Sequence, residues 1–429
     1  MMTFLRSAAL KKWHVLLVLI ILASSCAPIR ALTCPPIKIG VVLNGTDTTA
    51  NDEQNQGYKQ AVDEINAKGI GQGCKIELIY STKSQDSQTD NPQQDVQDLT
   101  AQGAVALIAP STNDAAQLVA NMAGYFDIPV IVPSDAGDEI TPANNLWVYR
   151  ITPTMSSYAH STFAMITAAG SSSSSDVAIF YESSDYGQSA AVAFGNAAVL
   201  NNMNVAIYQG YSTFLQDFGD LKTALTSKNP GVVVVISTQP GQAAAIYQMI
   251  KSVQSSQGSQ SNIQYVIGDG SGFWSNSFLY DSTGALNQDL EGLILDLPWA
   301  GNSSQASDLN CSDATQPETQ VGAGQPLNLR VVQSEVSLNL LASALQKVTQ
   351  IKSWTVDKTT ITDWRTLLRS AGNLPTFRQS LAQAIPEVQG CQFGNVLWPV
   401  KFNTSGQNQI APLLVKIEGG NFVTLYPQR

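Results

Sequence analysis

The sequence predicts an α/β chain made of two doubly wound lobes, each a mostly parallel sheet with helices on both faces. Three observations lead there. Short continuous apolar runs, rich in β-branched residues, alternate with amphipathic segments of helical spacing. That alternation runs through residues 37–133 and restarts at Val177. At 429 residues, the chain is also longer than one ordinary core can fill.

The elements follow in order. Residues 37–43 (IKIGVVL) read as a buried strand. Residues 54–68 place Tyr58, Ala61, Val62 and Ile65 at helical spacing, and Gly69 stops the helix. A strand at 75–80, a polar loop at 81–92, a helix at 93–102, a strand at 104–109, a helix at 114–125 and a strand at 129–133 complete the first series. The five serines 171–175 read as a surface turn. The second series has a strand at 177–181, a helix at 188–201, a strand at 204–209 and a helix at 218–227. A strand at 231–237, a helix at 241–253 and a strand at 264–267 follow. Residues 301–328, rich in Gly, Ser, Gln, Asn and Pro, read as a long surface insertion that contains Cys311. Residues 334–348 form a strongly patterned helix, and 411–417 and 422–426 are strand-like.

The N-terminus reads as a targeting segment. Arg6, Lys11 and Lys12 precede a nine-residue apolar run, 15–23, which is short against the ~20 residues a bilayer span needs. Small residues then lead to Cys26. This is the layout of a secretory signal covering 1–25. It resembles a bacterial lipoprotein signal, in which a Leu-Ala-Ser/Gly-Cys type box ends in a lipidated cysteine. Here the box reads LASSC, with Leu22 one place further from the cysteine than usual. The resemblance implies an exported protein held at the outer face of the cytoplasmic membrane by a lipid on Cys26. Plain secretion with cleavage near Ala31 is the alternative.

Export suits the five cysteines. With Cys26 lipidated, Cys34, Cys74, Cys311 and Cys391 remain, an even number that suggests two disulfides. Of three pairings, Cys34–Cys74 is favoured because each precedes a strand-like run that should lie beside the other. That leaves Cys311–Cys391.

Several chemistries are disfavoured. The net charge of −10 does not suit a phosphate-backbone binder, so no nucleic-acid partner is expected. Of two histidines, His14 lies in the signal and leaves only His160, which argues against a Ser-His-Asp triad or a His-rich metal site. No dinucleotide or phosphate-cradling glycine loop occurs; GDGSG at 268–272 lacks the lysine. The acidic stretch 47–53 lacks the glycine and closing glutamate of a calcium loop. No metal, no cofactor and no enzymatic activity are expected.

Six polar clusters share a location instead. Residues 44–49, 111–114, 134–138, 183–187, 237–240 and 269–272 each fall just past the C-terminal end of a strand. Ligands of open α/β sheets bind in the crevice there, where helix N-termini offer free N–H groups to an anion. Helix capping would explain any one cluster. Six clusters in two lobes point to a shared cleft.

The motifs in that order resemble the type I periplasmic binding proteins, specifically the Leu/Ile/Val-type substrate-binding proteins of ABC importers. The stretches that carry this are IKIGVVLNG, QGYKQAVDEINAKG, VALIAPSTNDAAQLVANMAGYFDIPVIVPSD, WVYRITPT, VAIFYESSDYGQSAAVAF and DFGDLKTALTSKNPGVVVVIS. The likeness covers about residues 36–300. It implies two Rossmann-like lobes joined by three hinge crossovers, near Pro153, Leu295 and Phe393. Lobe one is then 26–152 plus 296–393, with the 301–328 insertion, and lobe two is 153–295 plus 394–429. The resemblance also implies ligand-binding positions. Asn113 falls where relatives offer a serine-type hydroxyl to a ligand carboxylate. Ser134 and Ala136 match the next loop, where Ala136 lacks the usual hydroxyl and Asp135 is adjacent. Tyr186 matches a lobe-two tyrosine, Thr238 an aromatic position, and Asp269 the acid that holds the ligand ammonium. The covering aromatic falls near Ala50 and is missing, so Trp274 is a candidate for that wall.

The function implied is extracytoplasmic capture of a small polar ligand, an amino acid or related compound, by a monomer that delivers it to an ABC permease. The alternative is a ligand-sensing receptor domain signalling to a separate membrane partner. A hydrolase would need a carboxylate pair, for which Asp135 and Asp269 are the candidates.

Overall fold

The structure is a computed structural model that describes residues 34–43, 48–81, 91–111, 113–134, 136–169, 176–214, 217–298 and 328–426. Cys26, Cys311, Asp135, the five-serine run and nearly all of the 301–328 insertion lie outside the described residues, as does the side chain of Asn113.

Lobe one is a five-stranded parallel sheet: β1 (Ile37–Val41), β2 (Ile76–Tyr80), β3 (Ala106–Ile108), β4 (Val130–Val132) and β5 (Val148–Arg150), in the order β2-β1-β3-β4-β5. Its central strands β3 and β4 are buried along their whole length, because helices cover both faces. The helices are α1 (Thr48–Lys68), α2 (Pro92–Ala101) and α3 (Asn113–Ala123). Helix α1 starts ahead of the periodic stretch 54–68, since the polar segment before it offers almost no apolar repeat to read.

Lobe two follows with α4 (Met155–Ala168), β6 (Asp176–Glu182), α5 (Asp185–Leu200), β7 (Asn204–Tyr211) and α6 (Gly219–Lys228). Then come β8 (Val232–Ile236), α7 (Pro240–Gln257), β9 (Tyr265–Asp269) and β10 (Ile294–Leu297). Helix α4 mixes its faces. Ser161 and Thr162 are buried beside Met155, Tyr158, Ala159, Phe163, Met165 and Ile166, while Ala168 is exposed with Ser156, His160 and Thr167, so its sequence lacks the clean one-sided period that marks a surface helix.

The chain then returns. Helix α8 (Leu329–Thr349) packs along α1. Gly57 permits this, because a Cβ there would lie 2.2 Å from the carbonyl oxygen of Val331. The hairpin β11 (Trp354–Val356)–β12 (Thr359–Ile361), helix α9 (Leu374–Ala384) and the hairpin β13 (Gly390–Phe393)–β14 (Val396–Val400) follow. Finally β15 (Leu413–Glu418) and β16 (Asn421–Tyr426) join the second sheet as antiparallel edge strands, giving the order β16-β15-β10-β9-β8-β6-β7. The lobe boundary read at 295/296 falls inside β10, whose Asp296 and Leu297 pair with Leu414 and Leu413. The boundary at 393/394 falls in the turn of the β13–β14 hairpin.

Two crossovers lie side by side. The N–H of Arg150 donates to the Gly406 carbonyl at 2.9 Å, and that of Asn408 donates to the Arg150 carbonyl at 3.0 Å. Ile151 O accepts from Asn408 Nδ2 at 2.9 Å and from Trp398 Nε1 at 3.2 Å. The Arg150 side chain is fully buried and donates to Gln407 Oε1, to the Gly137 carbonyl and to Thr141 Oγ1. A charge so deep is tolerable because acceptors surround it.

The Cys34–Cys74 disulfide forms, tying the entry to β1 to the entry to β2, which pair in register from Ile37 and Ile76. Cys391 is also disulfide-bonded. Among the described residues, no helix is long and apolar enough to cross a membrane, and no cluster of three or more His, Cys, Asp or Glu could hold a metal ion.

Candidate functional site

A cavity of about 240 Å³ lies between the lobes. From lobe one come Ser111 and Ser134, just past β3 and β4, together with Glu53 on α1 and Arg330 and Gln333 on α8. From lobe two come Glu182, the last residue of β6, Ser184 just past it, Tyr186 on α5, Thr238 after β8, and Trp274 after β9. Strand tips from both sheets therefore converge on one space, as a doubly wound topology directs them to.

Glu182 is the most constrained group in the wall. It is fully buried at the end of β6. Its Oε1 accepts from Ser184 Oγ at 2.6 Å and from Thr238 Oγ1 at 2.8 Å, and its Oε2 accepts from the Thr238 N–H at 2.7 Å. Ser184 also N-caps α5, accepting from the Gly187 N–H at 3.0 Å. Glycine is required at 187, since a Cβ would lie 2.0 Å from the Glu182 carbonyl oxygen. One serine and one threonine thus fix a carboxylate, a helix start and a strand end together. On the opposite wall, Arg330 Nη1 meets Glu53 Oε2 at 2.9 Å, with about a fifth of each side chain exposed.

Asp269 lies behind this wall. It is fully buried and is not among the lining residues. Its Oδ2 accepts from the Tyr186 hydroxyl at 2.7 Å. Its neighbour is Asp296, also fully buried, and the two carboxyls share a side-chain hydrogen bond. Burial raises the Asp269 carboxyl to about 6, against the lowering effect of the Tyr186 hydroxyl. Burial, and then the charge of Asp269, hold Asp296 well above the ordinary carboxylate range. The tyrosine hydroxyls of 158 and 186 are likewise raised, by burial first and then by the two acids. Asp296 holds its proton while Asp269 receives the tyrosine hydrogen bond.

Of the residues singled out in the sequence, Ser134, Tyr186, Thr238 and Trp274 line the cavity. Thr238 occupies the aromatic position but spends both its donors on Glu182. Ala136 is buried in the lobe-two core cluster and Asp269 stands behind Tyr186; neither is a wall residue. Asn113 is the first residue of α3, and Asp135 lies outside the described residues. The acid pair of the interior is Asp269 with Asp296. Sequence reasoning passed over Glu182, Glu53, Arg330 and Gln333. Glu182 stands in the motif FYESSDYG, where its place at a strand end was legible; α8 approaches only through the tertiary fold.

A sequence model of the family described as receptor family ligand binding region matches residues 54–390. The chain belongs to this family. Leu/Ile/Val-binding protein homolog 7 of Brucella abortus (strain 2308) is 29% identical over 236 residues, 51% of this chain and 57% of that protein. Homolog 8 of the same strain is 26% identical over 206 residues, 46% of this chain and 50% of that protein. The chain thus spans little more than half the length of these relatives. Among solved structures, the branched-chain amino acid transporter substrate binding protein LivJ of Streptococcus pneumoniae, in complex with isoleucine, superposes with a TM-score of 0.64 at 16% identity, covering 91% of this chain and 100% of that one. A solute-binding protein of an R. palustris ABC transporter, in complex with benzoate, gives a TM-score of 0.63 at 17% identity over 91% and 96%. At such identities it is the two-lobed type I periplasmic binding protein fold that is shared.

The buried acid pair sets a pH dependence. A carboxyl raised in the fold contributes stability that is complete below the unfolded value near 4 and is lost as pH rises through the raised folded value. Asp296→Asn keeps a neutral group there at every pH. The melting temperature of the variant relative to the parent should therefore climb from pH 4 to pH 8, measured by thermal denaturation. A constant difference would mean that Asp296 ionises normally in the fold.

Proposed function

We propose that the chain is an extracytoplasmic substrate-binding protein that captures an amino acid or related small polar solute between its lobes and passes it to an ABC permease. One observation carries this: a cavity walled from both sides by strand-end polar groups, with an immobilised carboxylate, Glu182, at its lobe-two side. Glu182 has its protein donors on one side and takes the ligand ammonium on the other. Ser111 and Ser134 hydroxyls, beside the start of α3, suit the carboxylate. Tyr186 adds a hydroxyl whose direction is set by Asp269, which makes Asp269 a positioning residue. A ligand gripped by both walls is held only when the lobes are together, so its binding energy stabilises the closed form. The Leu/Ile/Val-binding names among the relatives support an amino-acid ligand.

Glu182→Gln keeps the shape and removes the charge. It should weaken binding of an amino-acid ligand at least tenfold, ~1.4 kcal/mol, in isothermal titration calorimetry. Unchanged affinity would place the ammonium elsewhere.

The same reading includes a lipid anchor at Cys26, motivated by the LASSC box after a short apolar run. Cys26→Ala should move the protein from the membrane fraction to the soluble fraction. Retention in the membrane fraction would contradict the anchor.

A further inference from the structure

Resting on the amino-acid reading above, we infer that the ligand is a basic amino acid, one whose side group carries a second positive charge. The charges of the wall point to it. Two carboxylates, Glu53 and Glu182, line the cavity with one guanidinium, Arg330, and no lysine or histidine is among the described lining residues. Arg330 pairs with Glu53 through Nη1 at 2.9 Å. Glu182 has only uncharged donors, the Ser184 and Thr238 hydroxyls and the Thr238 N–H. Asp269 adds to the same sign behind Tyr186. The lining therefore holds one negative charge in excess before a ligand enters.

The α-ammonium and α-carboxylate of an amino acid cancel and leave that excess in place. An acidic side group enlarges it; a basic one removes it. Charge interactions strengthen as the lobes exclude water, so this balance separates ligands of similar size. The Glu53–Arg330 pair alone does not choose. Arg330 keeps its Nε and Nη2 donors, Glu53 keeps Oε1 to accept, and about a fifth of each side chain is exposed. An acid at Arg330 is opposed by Glu53 as much as a base at Glu53 is opposed by Arg330. The uncancelled Glu182 breaks the tie, and so does the aromatic wall. Trp274 and Tyr186 line the cavity. Trp274 Nε1 is buried and the Tyr186 hydroxyl is given to Asp269, so the surface these residues can offer a ligand is ring carbon. Aromatic faces attract an ammonium or guanidinium and repel a carboxylate. The chain's net charge of −10 steers cations toward it in the same sense.

The test is calorimetric titration of the full chain with L-arginine, L-lysine, L-leucine, L-glutamine and L-glutamate. Arginine or lysine should bind at least ten times more tightly than the other three. Leucine, glutamine or glutamate binding as tightly as the better basic ligand would overturn the inference and leave the amino-acid reading standing. No binding of any of the five would remove the amino-acid reading itself and the inference with it. Glu53→Gln provides a second arm, with melting temperature checking that the variant is folded. It should cut the ratio of basic-ligand to leucine affinity at least tenfold. An unmoved ratio in the folded variant would overturn the inference.

Discussion

A carboxylate taken fully out of water has to be given donors, and the way Glu182 receives them organises the lobe-two side of the cleft. Its three hydrogen bonds come from two loops, those after β6 and β8. Each donor has a second task. Ser184 starts α5, and Thr238 immediately precedes the segment that starts α7. Because the donors belong to the protein, the acid is oriented before any ligand arrives. Such preorganisation reduces what binding must spend on ordering. Because both of its oxygens accept, replacing the acid by an amide sets an NH2 against at least one of these donors.

The fold was legible because its strands are short, apolar and buried on both faces, a pattern few other architectures produce. Residues 232–236, five β-branched residues all fully buried, are the clearest case. What escaped was hidden for physical reasons. Helix α4 buries Ser161 and Thr162 and exposes Ala168, which blurs its amphipathic period. Strand β10 is four residues long and carries an aspartate in its middle, which reads as polar although the residue is fully buried. The small hairpins β11–β12 and β13–β14 have strands of three to five residues, too brief for a period of two to register.

The site was legible only as a place. Strand-end clusters located the cavity and named Ser134, Tyr186 and Thr238 among its walls. They could not rank Glu182 above Asp269, because both are acids that close a strand. The difference is tertiary: the Tyr186 hydroxyl stands over Asp269, while Glu182 is gathered by Ser184 and Thr238 at the cavity itself. Nor could a linear reading bring in Arg330 and Gln333, which reach the cavity because α8 returns to lie along α1 across Gly57.

In the proposed clamp a bound molecule restrains both lobes at once. The buried Arg150 side chain and the pairing of 150–151 with 406–408 hold two of the crossovers side by side. Hydrogen–deuterium exchange with and without the tightest-binding amino acid tests this most directly. Slowed exchange should appear together at 183–187 and 238–241 in lobe two and at 330–334 in lobe one. Slowing confined to one lobe would contradict a ligand held between them.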